Sequence, residues 1–196
     1  MEELTRVKEI LNNHGVIAFP TETVMGLGVY FDDAIALKKM NDIKGRPEKK
    51  PYTLMLSDVK DIDKYAKISG KAYKILNRYM PGPITVLLPI KDNLPEWVDY
   101  GSGKIGIRVP LYKPALDVLR SAGKGLLVPS ANKSGELPAL SSDEVFKIFG
   151  HDVDLIIEGK CESGLPSTIV DLTGDKAIII REGSIKKEDI LKTLEE

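Results

Sequence analysis

The sequence predicts an α/β fold: an open sheet of mixed parallel and antiparallel strands, flanked by helices. Two observations predict it. Short apolar runs that read as strands alternate with amphipathic helical periods early in the chain and cluster together late, the pattern of parallel crossovers followed by antiparallel neighbours. The segments richest in hydroxyls, glycines and cations follow strand or helix ends, where α/β proteins place their sites. No internal repeat or low-complexity linker divides the chain, so residues 1–196 read as one domain.

The elements follow in order. Leu4, Val7, Ile10 and Leu11 share one helical face that ends near His14-Gly15. Val16 to Phe19 reads as a short buried strand entering a Thr21-Glu22-Thr23 loop that runs on through Gly26 and Gly28. Asp32-Asp33 can cap a helix with Ala34, Leu37, Met40 and Ile43 inward, stopped by Gly45 and Pro47. Tyr52 to Leu56 is the next strand, followed by two short helices, the second carrying Ala72, Ile75, Leu76 and Tyr79. Pro81-Gly82-Pro83 starts the strand Ile84 to Leu88. Lys91 to Lys104 is irregular, a surface excursion and a candidate for a loop that closes the site. Ile105 to Val109 reads as a strand, Pro114 to Ser121 as a helix, and Gly125 to Val128 as a strand delivering Ser130 and Asn132. Ser141 to Glu144 has capping-box spacing before a helix through Phe149. Leu155 to Glu158, Ser167 to Leu172 and Ala177 to Arg181 are closing strands, and a helix follows from Lys186.

Composition narrows the class. With 42% hydrophobic and 29% charged residues the chain is that of an ordinary globular protein, long enough to bury roughly 70% of its unfolded surface. No apolar run approaches the roughly 20 residues of a membrane span, and the acidic start Met1-Glu2-Glu3 does not read as a signal peptide. The lone Cys161 permits no intrachain disulfide, which fits a reducing cytoplasm. A net charge of −1 argues against a broad nucleic-acid surface, though not against a local basic pocket.

Several motifs fail on context. Gly101-Ser102-Gly103-Lys104-Ile105-Gly106 spells a dinucleotide fingerprint but precedes a strand, whereas the fingerprint must follow one and open a helix. It is no phosphate-binding Walker loop either, with Val98 at the first glycine and Ile105 at the hydroxyl. Gly26-Leu27-Gly28 lacks its third glycine. Two histidines at helix ends and one cysteine give no basis for a closed zinc site, and Cys161 reads as a loop cysteine.

Three segments remain. Lys38, Lys39, Lys44, Arg46, Lys49 and Lys50 stand against Asp42 and Glu48. Lys38 and Lys39 read as a solvated face, but Lys44 and Arg46 sit where the helix must stop. An arginine placed there can grip carboxylate or phosphate through two hydrogen bonds. The Thr21-Glu22-Thr23 loop supplies hydroxyls and a glycine-rich backbone. Pro129-Ser130-Ala131-Asn132 alone is an ordinary turn. Together the three offer hydroxyls, bare amides and fixed cations, as a site for a carboxylate and a polyphosphate requires.

In this order the motifs resemble the YrdC-like family of L-threonylcarbamoyladenylate synthases. The resemblance covers about residues 8 to 183. Its pieces are Phe19 to Gly28, Lys44-x-Arg46, Pro51, Pro81 to Thr85, Ile105 to Pro110, Pro129 to Gly135, Ser167 to Asp171 and Arg181-Glu182-Gly183. It implies a twisted YrdC/RibB-like sheet with a concave basic active site, and the joining of L-threonine, bicarbonate and ATP into threonylcarbamoyl-AMP with release of pyrophosphate. The product would pass to a tRNA threonylcarbamoyl transferase complex that modifies adenosine 37, with weak or no direct tRNA binding by this chain. Carried over by position, Lys44, Arg46, Ser130 and Asn132 are the active-site tetrad. Thr23, Arg108, Ser167 and the backbone at Val128 surround threonine. Arg46, Lys50, Lys104, Ser130 and Arg181 surround the nucleotide. Mg²⁺ would arrive with ATP and not in a dedicated protein cage.

Met25 stands where the family usually has tyrosine, and Met55 near a position that carries histidine in some relatives. The chain stops at Glu196, which reads as the short form without the C-terminal domain of longer relatives. Two other readings are a YciO-like paralogue acting on threonylcarbamoyl-AMP and an RNA-binding module using the same concave site. The second lacks aromatic–basic interleaving, aromatics being only 6% of the chain.

Overall fold

The computed structural model describes residues 2–46 and 49–196. Pro47 and Glu48, part of the expected helix stop and basic segment, lie outside the described residues. Among the described residues nine strands form one sheet: β1 (Ile17–Phe19), β2 (Gly26–Tyr30), β3 (Leu54–Met55), β4 (Ile84–Pro89), β5 (Lys104–Arg108), β6 (Leu126–Leu127), β7 (Leu155–Ile156), β8 (Thr168–Asp171) and β9 (Ile178–Arg181). Their order is β7-β1-β2-β6-β3-β5-β4-β8-β9. The pairs β1–β7, β3–β5 and β4–β8 are parallel and the others antiparallel, so the sheet is mixed as the sequence predicts.

Six α-helices flank it: α1 (Glu2–Asn12), α2 (Ala34–Lys44), α3 (Gly70–Tyr79), α4 (Lys113–Ala122), α5 (Ser142–Phe149) and α6 (Lys187–Glu195). The caps are those read from the sequence. Asp33 accepts from the N–H groups of Ile35 and Ala36, and Gly45 ends α2 at φ 61°, a conformation glycine adopts without steric cost. Ser141 accepts from the Glu144 N–H, while the Glu144 carboxylate accepts from the N–H of Leu140, one residue before the cap.

Alternation along the strands decides which face each helix covers. Ala18, Leu27, Leu54, Val86, Ile107, Leu127 and Val170 point to one face, into a core with Leu37 and Met40 of α2, Ile75 of α3, Val145 of α5 and Ile190 of α6. The other face is layered only in part. There Ile17, Phe19, Met55, Leu126 and Val128 pack on Val7 and Leu11 of α1 and on Ala115, Val118 and Leu119 of α4. By the same alternation Lys104, Gly106, Arg108, Thr85, Leu87, Ile169 and Asp171 point to this second face, over the half of the sheet that α1 and α4 do not cover.

Two readings of the sequence are corrected here. Gly26 and Gly28 are not loop glycines, although Gly26 lines the cavity described below. They lie in β2, a central strand paired with β1 and β6. A Cβ on Gly26 would meet Val128 Cγ1 at 2.6 Å, so the missing side chain admits a neighbouring strand. Lys91 to Lys104 does not border the cavity described below. It joins the far ends of β4 and β5, where Trp97 Nε1 donates to the Phe31 carbonyl at 2.9 Å and Val98 is buried.

A candidate active site lined by three arginines

A cavity of about 430 Å³ opens on the second face, where the α1–α4 layer ends. Among the described residues its charged lining consists of Arg46, Arg108, Arg181 and Glu136, and its hydroxyls come from Thr21, Thr23, Tyr52, Thr53, Thr85, Ser130 and Ser167.

Local hydrogen bonding shapes the first wall. Thr21 Oγ1 donates to the Val24 carbonyl at 2.7 Å, accepts from the N–H groups of Thr23 and Val24, and lies 2.9 Å from Thr23 Oγ1. The loop is a turn closed by its own threonine. It is laced to the Ser130 segment, since Ala131 N donates to the Met25 carbonyl and Leu27 N to that of Pro129. Within that segment Ser130 Oγ donates to Asn132 Oδ1 at 2.5 Å, and Asn132 Nδ2 donates to the carbonyls of Lys133 and Glu136.

Lys44, which the resemblance puts in the active-site tetrad, lies behind the cavity wall. It is 2% exposed and does not line the cavity. Its Nζ donates to the carbonyls of Ser130 at 2.6 Å and Asn132 at 2.7 Å. Ser134 N donates back to the Lys44 carbonyl, and Lys133 Nζ to that of Ile43. The physical reason is its place on the last, inward-facing turn of α2: the ammonium is buried behind the Ser130 loop and spends its donors on backbone oxygens. Burial, then the nearby Arg46 and Lys133, lowers its pKa from 10.5 to about 8. With the folded value below the unfolded one, the unfolded chain binds more protons between about pH 8 and 10.5. The buried charge therefore costs stability at neutral pH, and the cost is relieved as pH rises through that window. We expect the stability of the parent relative to Lys44→Met to rise between pH 8 and 10.5 by about 3 kcal/mol in total. Urea unfolding at several pH values checks it; a flat difference would mean that Lys44 titrates normally.

Arg46 and Arg181 are poised differently. The Arg46 guanidinium lies 4.3 Å over the Tyr52 ring, and its Nη2 reaches the Pro51 carbonyl at only 3.4 Å. The Tyr52 hydroxyl donates to Asn41 Oδ1 on α2, and burial pushes its pKa up to about 12. Arg181 donates through Nε and Nη2 to the Ser167 carbonyl, at 3.1 and 2.8 Å. Burial, then Arg108, lowers its pKa. Neither arginine has a carboxylate partner among the described residues.

Arg108 does have one. Its Nη2 is 2.8 Å from Glu22 Oε2, the two side chains being 5% and 10% exposed, and its Nη1 donates to Thr23 Oγ1 at 3.0 Å. Arg108 Nε is buried without a hydrogen-bond acceptor, while Nη2 is held by the Glu22 carboxylate as an ion pair without a well-aligned hydrogen bond. Beside it on the sheet, Thr85 Oγ1 lies 3.1 Å from Ser167 Oγ.

The cavity thus brings together Thr23, Arg46, Arg108, Val128, Ser130, Asn132, Ser167 and Arg181. The Val128 N–H is already committed to the Thr53 carbonyl at 2.8 Å. Met25 and Met55 also line it. Lys50 is exposed beside Pro51 and does not line the cavity. Lys104 shares the open face with Arg108 but stands four residues away, about 13 Å along β5, bound to Asp171 at 2.6 Å. Glu22, Tyr52 and Thr85 escaped sequence reasoning. For Glu22 the signal was present, an acid between two site threonines, and Thr85 closes the Pro81 to Thr85 motif; for Tyr52 nothing local marks it. Cys161 is half-buried, and burial pushes its thiol pKa up.

Fold and site together define a class: an open mixed α/β sheet with an arginine-lined pocket on its uncovered half. The chain belongs to the Sua5/YciO/YrdC family, whose model, described as "Telomere recombination", matches residues 9–183. It is 32% identical over 183 residues to the threonylcarbamoyl-AMP synthase of Pyrococcus abyssi, covering 92% of this chain and 54% of that protein. Among solved structures it is similar to P. abyssi Sua5 complexed with L-threonine, with TM-score 0.92 and 30% identity over 97% of this chain and 56% of that one. It is also similar to E. coli YciO, with TM-score 0.86 and 28% identity over 93% of this chain and 90% of that one. The chain spans about half the length of the P. abyssi relative and most of YciO.

Proposed function

We propose that the protein is an enzyme, a threonylcarbamoyl-AMP synthase of the nucleotidyltransferase class, making threonylcarbamoyl-AMP and pyrophosphate from L-threonine, bicarbonate and ATP. The observation that carries this reading is the buried Nε of Arg108, without an acceptor, beside the hydroxyls of Thr23 and Ser167. An arginine with a donor in that state suits a carboxylate, which would supply the missing acceptor. The P. abyssi structure solved with L-threonine supports the choice of amino acid.

On this reading the threonine carboxylate sits on Arg108 while its nitrogen condenses with bicarbonate, losing water and forming a carbamate. A carbamate oxygen attacks the α-phosphorus of ATP; the new O–P bond forms as the bond to the β-phosphate oxygen breaks, and pyrophosphate leaves. Arg46 and Arg181 compensate the phosphates, and catalysis consists of holding two mutually repelling anions in line. Mg²⁺ suits the donor set as the nucleotide's own counterion, because Glu136 is the single lining carboxylate among the described residues and the arginines supply the remaining positive charge. Among the described residues no helix is long and apolar enough to cross a membrane. We place the enzyme in the cytoplasm, handing its product to a tRNA threonylcarbamoyl transferase complex and binding tRNA itself weakly or not at all.

The test is pyrophosphate release, which should require both threonine and bicarbonate. Serine keeps the hydroxyl and loses a methyl, which costs roughly 1–3 kcal/mol in a fitted niche. Valine leaves the hydroxyl-reading group unpaired and should be rejected far more strongly. We expect threonine above serine and valine near background. Equal release with all three, or release without an amino acid, would leave only a nucleotide-binding fold.

A further inference from the structure

We propose that Glu22 is a positioning and selectivity residue: it holds Arg108 against Thr23 and cancels its charge, reserving that end of the cavity for an amino acid and keeping phosphate groups out. The inference rests on the amino-acid reading above and adds a residue that reading does not use.

The carboxylate is fixed from several sides. Glu22 Oε1 accepts from the Leu111 N–H at 3.1 Å, Oε2 lies 2.8 Å from Arg108 Nη2, and the Glu22 carbonyl accepts from the Ser163 N–H at 3.1 Å. Arg108 is fixed in turn by its strand and by Thr23 Oγ1, which Thr21 holds. The contacts close a ring from the loop after β1, through the segment after β5, and back to the same loop. A guanidinium caught in such a ring keeps one orientation without a ligand, so binding costs little reorganisation.

Charge is distributed in the same sense. Arg46 and Arg181 have no carboxylate partner among the described residues, their hydrogen bonds going to carbonyl oxygens and the Ser167 hydroxyl, so their positive charge stays uncompensated and favours phosphates. At Arg108 Glu22 already supplies one negative charge. A phosphate group there would meet a carboxylate as well as an arginine. A zwitterion instead brings a carboxylate for the Arg108 Nε, which has no acceptor, and a positive amine that the glutamate attracts. Without Glu22, all three arginines would be uncompensated, and the nucleotide's phosphates could occupy the place of the amino acid.

The experiment is calorimetric titration of L-threonine into the parent and Glu22→Gln, with and without inorganic phosphate, and of ATP into both. We expect threonine to bind the variant at least about tenfold more weakly and phosphate to compete with it there but not in the parent. ATP affinity should stay within about threefold, which a general loss of structure would not allow. Glu22→Asp keeps the charge but withdraws it, and should weaken threonine binding without admitting phosphate; it serves if Glu22→Gln does not fold. Unchanged or tighter threonine binding in the variants, or parallel loss of ATP affinity, overturns the proposal. A parent that does not bind threonine overturns the amino-acid reading itself, and this inference with it.

Discussion

Arg108→Met should abolish threonine-dependent pyrophosphate release and lower folding stability by about 3–5 kcal/mol, the range for breaking a buried ion pair from one side. The two effects have one cause. Both partners are nearly inaccessible, and removing the guanidinium leaves the Glu22 carboxylate buried with only the Leu111 N–H for company. The stability loss therefore comes from a stranded charge more than from a lost attraction. Adding Glu22→Gln to Arg108→Met should restore part of the stability and none of the activity. Urea unfolding of the parent, the single variants and the double variant, with pyrophosphate release measured on each, separates the two consequences. If Arg108→Met unfolds at the parent's midpoint, the pair carries no buried charge worth the name and the account of this wall is wrong.

Arg46→Ala should have the converse profile, near-complete loss of adenylate formation with the fold intact. Arg46 stacks on one face of Tyr52 and makes a single long hydrogen bond, and its Nε is buried without an acceptor. Little of the folded state depends on it, so the change in stability should stay within about 1 kcal/mol. In the reaction it would meet phosphate oxygens as charge moves onto the leaving pyrophosphate. Removing such a contact costs about 2–4 kcal/mol of transition-state stabilisation, roughly 30- to 1,000-fold in rate. Turnover within a few-fold of the parent would remove Arg46 from the phosphate end. Arg46→Lys should recover little, because a point ammonium neither stacks on Tyr52 nor presents a planar fork.

These two arginines show how far the sequence carries. Arg46 was legible because its context is local: a helix period ending at a glycine, with a cation just past the stop. The same kind of signal gave the caps of α2 and α5, the helices and most strands, because capping and periodicity are properties of neighbouring residues. The glycines of β2 misled for the opposite reason. Gly26 and Gly28 carry no apolar side chain to show a strand period, and what makes them a strand is pairing with Ile17 and Phe19 on one side and the close approach of Val128 on the other.

The sequence by itself determined the mixed α/β class, the three site segments and the family resemblance, since each is written in contiguous residue types and their order. The tertiary structure decided what each site residue does. It turned Lys44 from an apparent ligand group into a buried clamp on Ser130 and Asn132, set Lys104 about 13 Å along the strand from Arg108, and gave Arg108 a partner in Glu22, 86 positions earlier in the chain. Burial and charge pairing depend on which segments the sheet order brings together. A cation's chemistry changes with its partner and its solvent, and neither is written beside it in the chain.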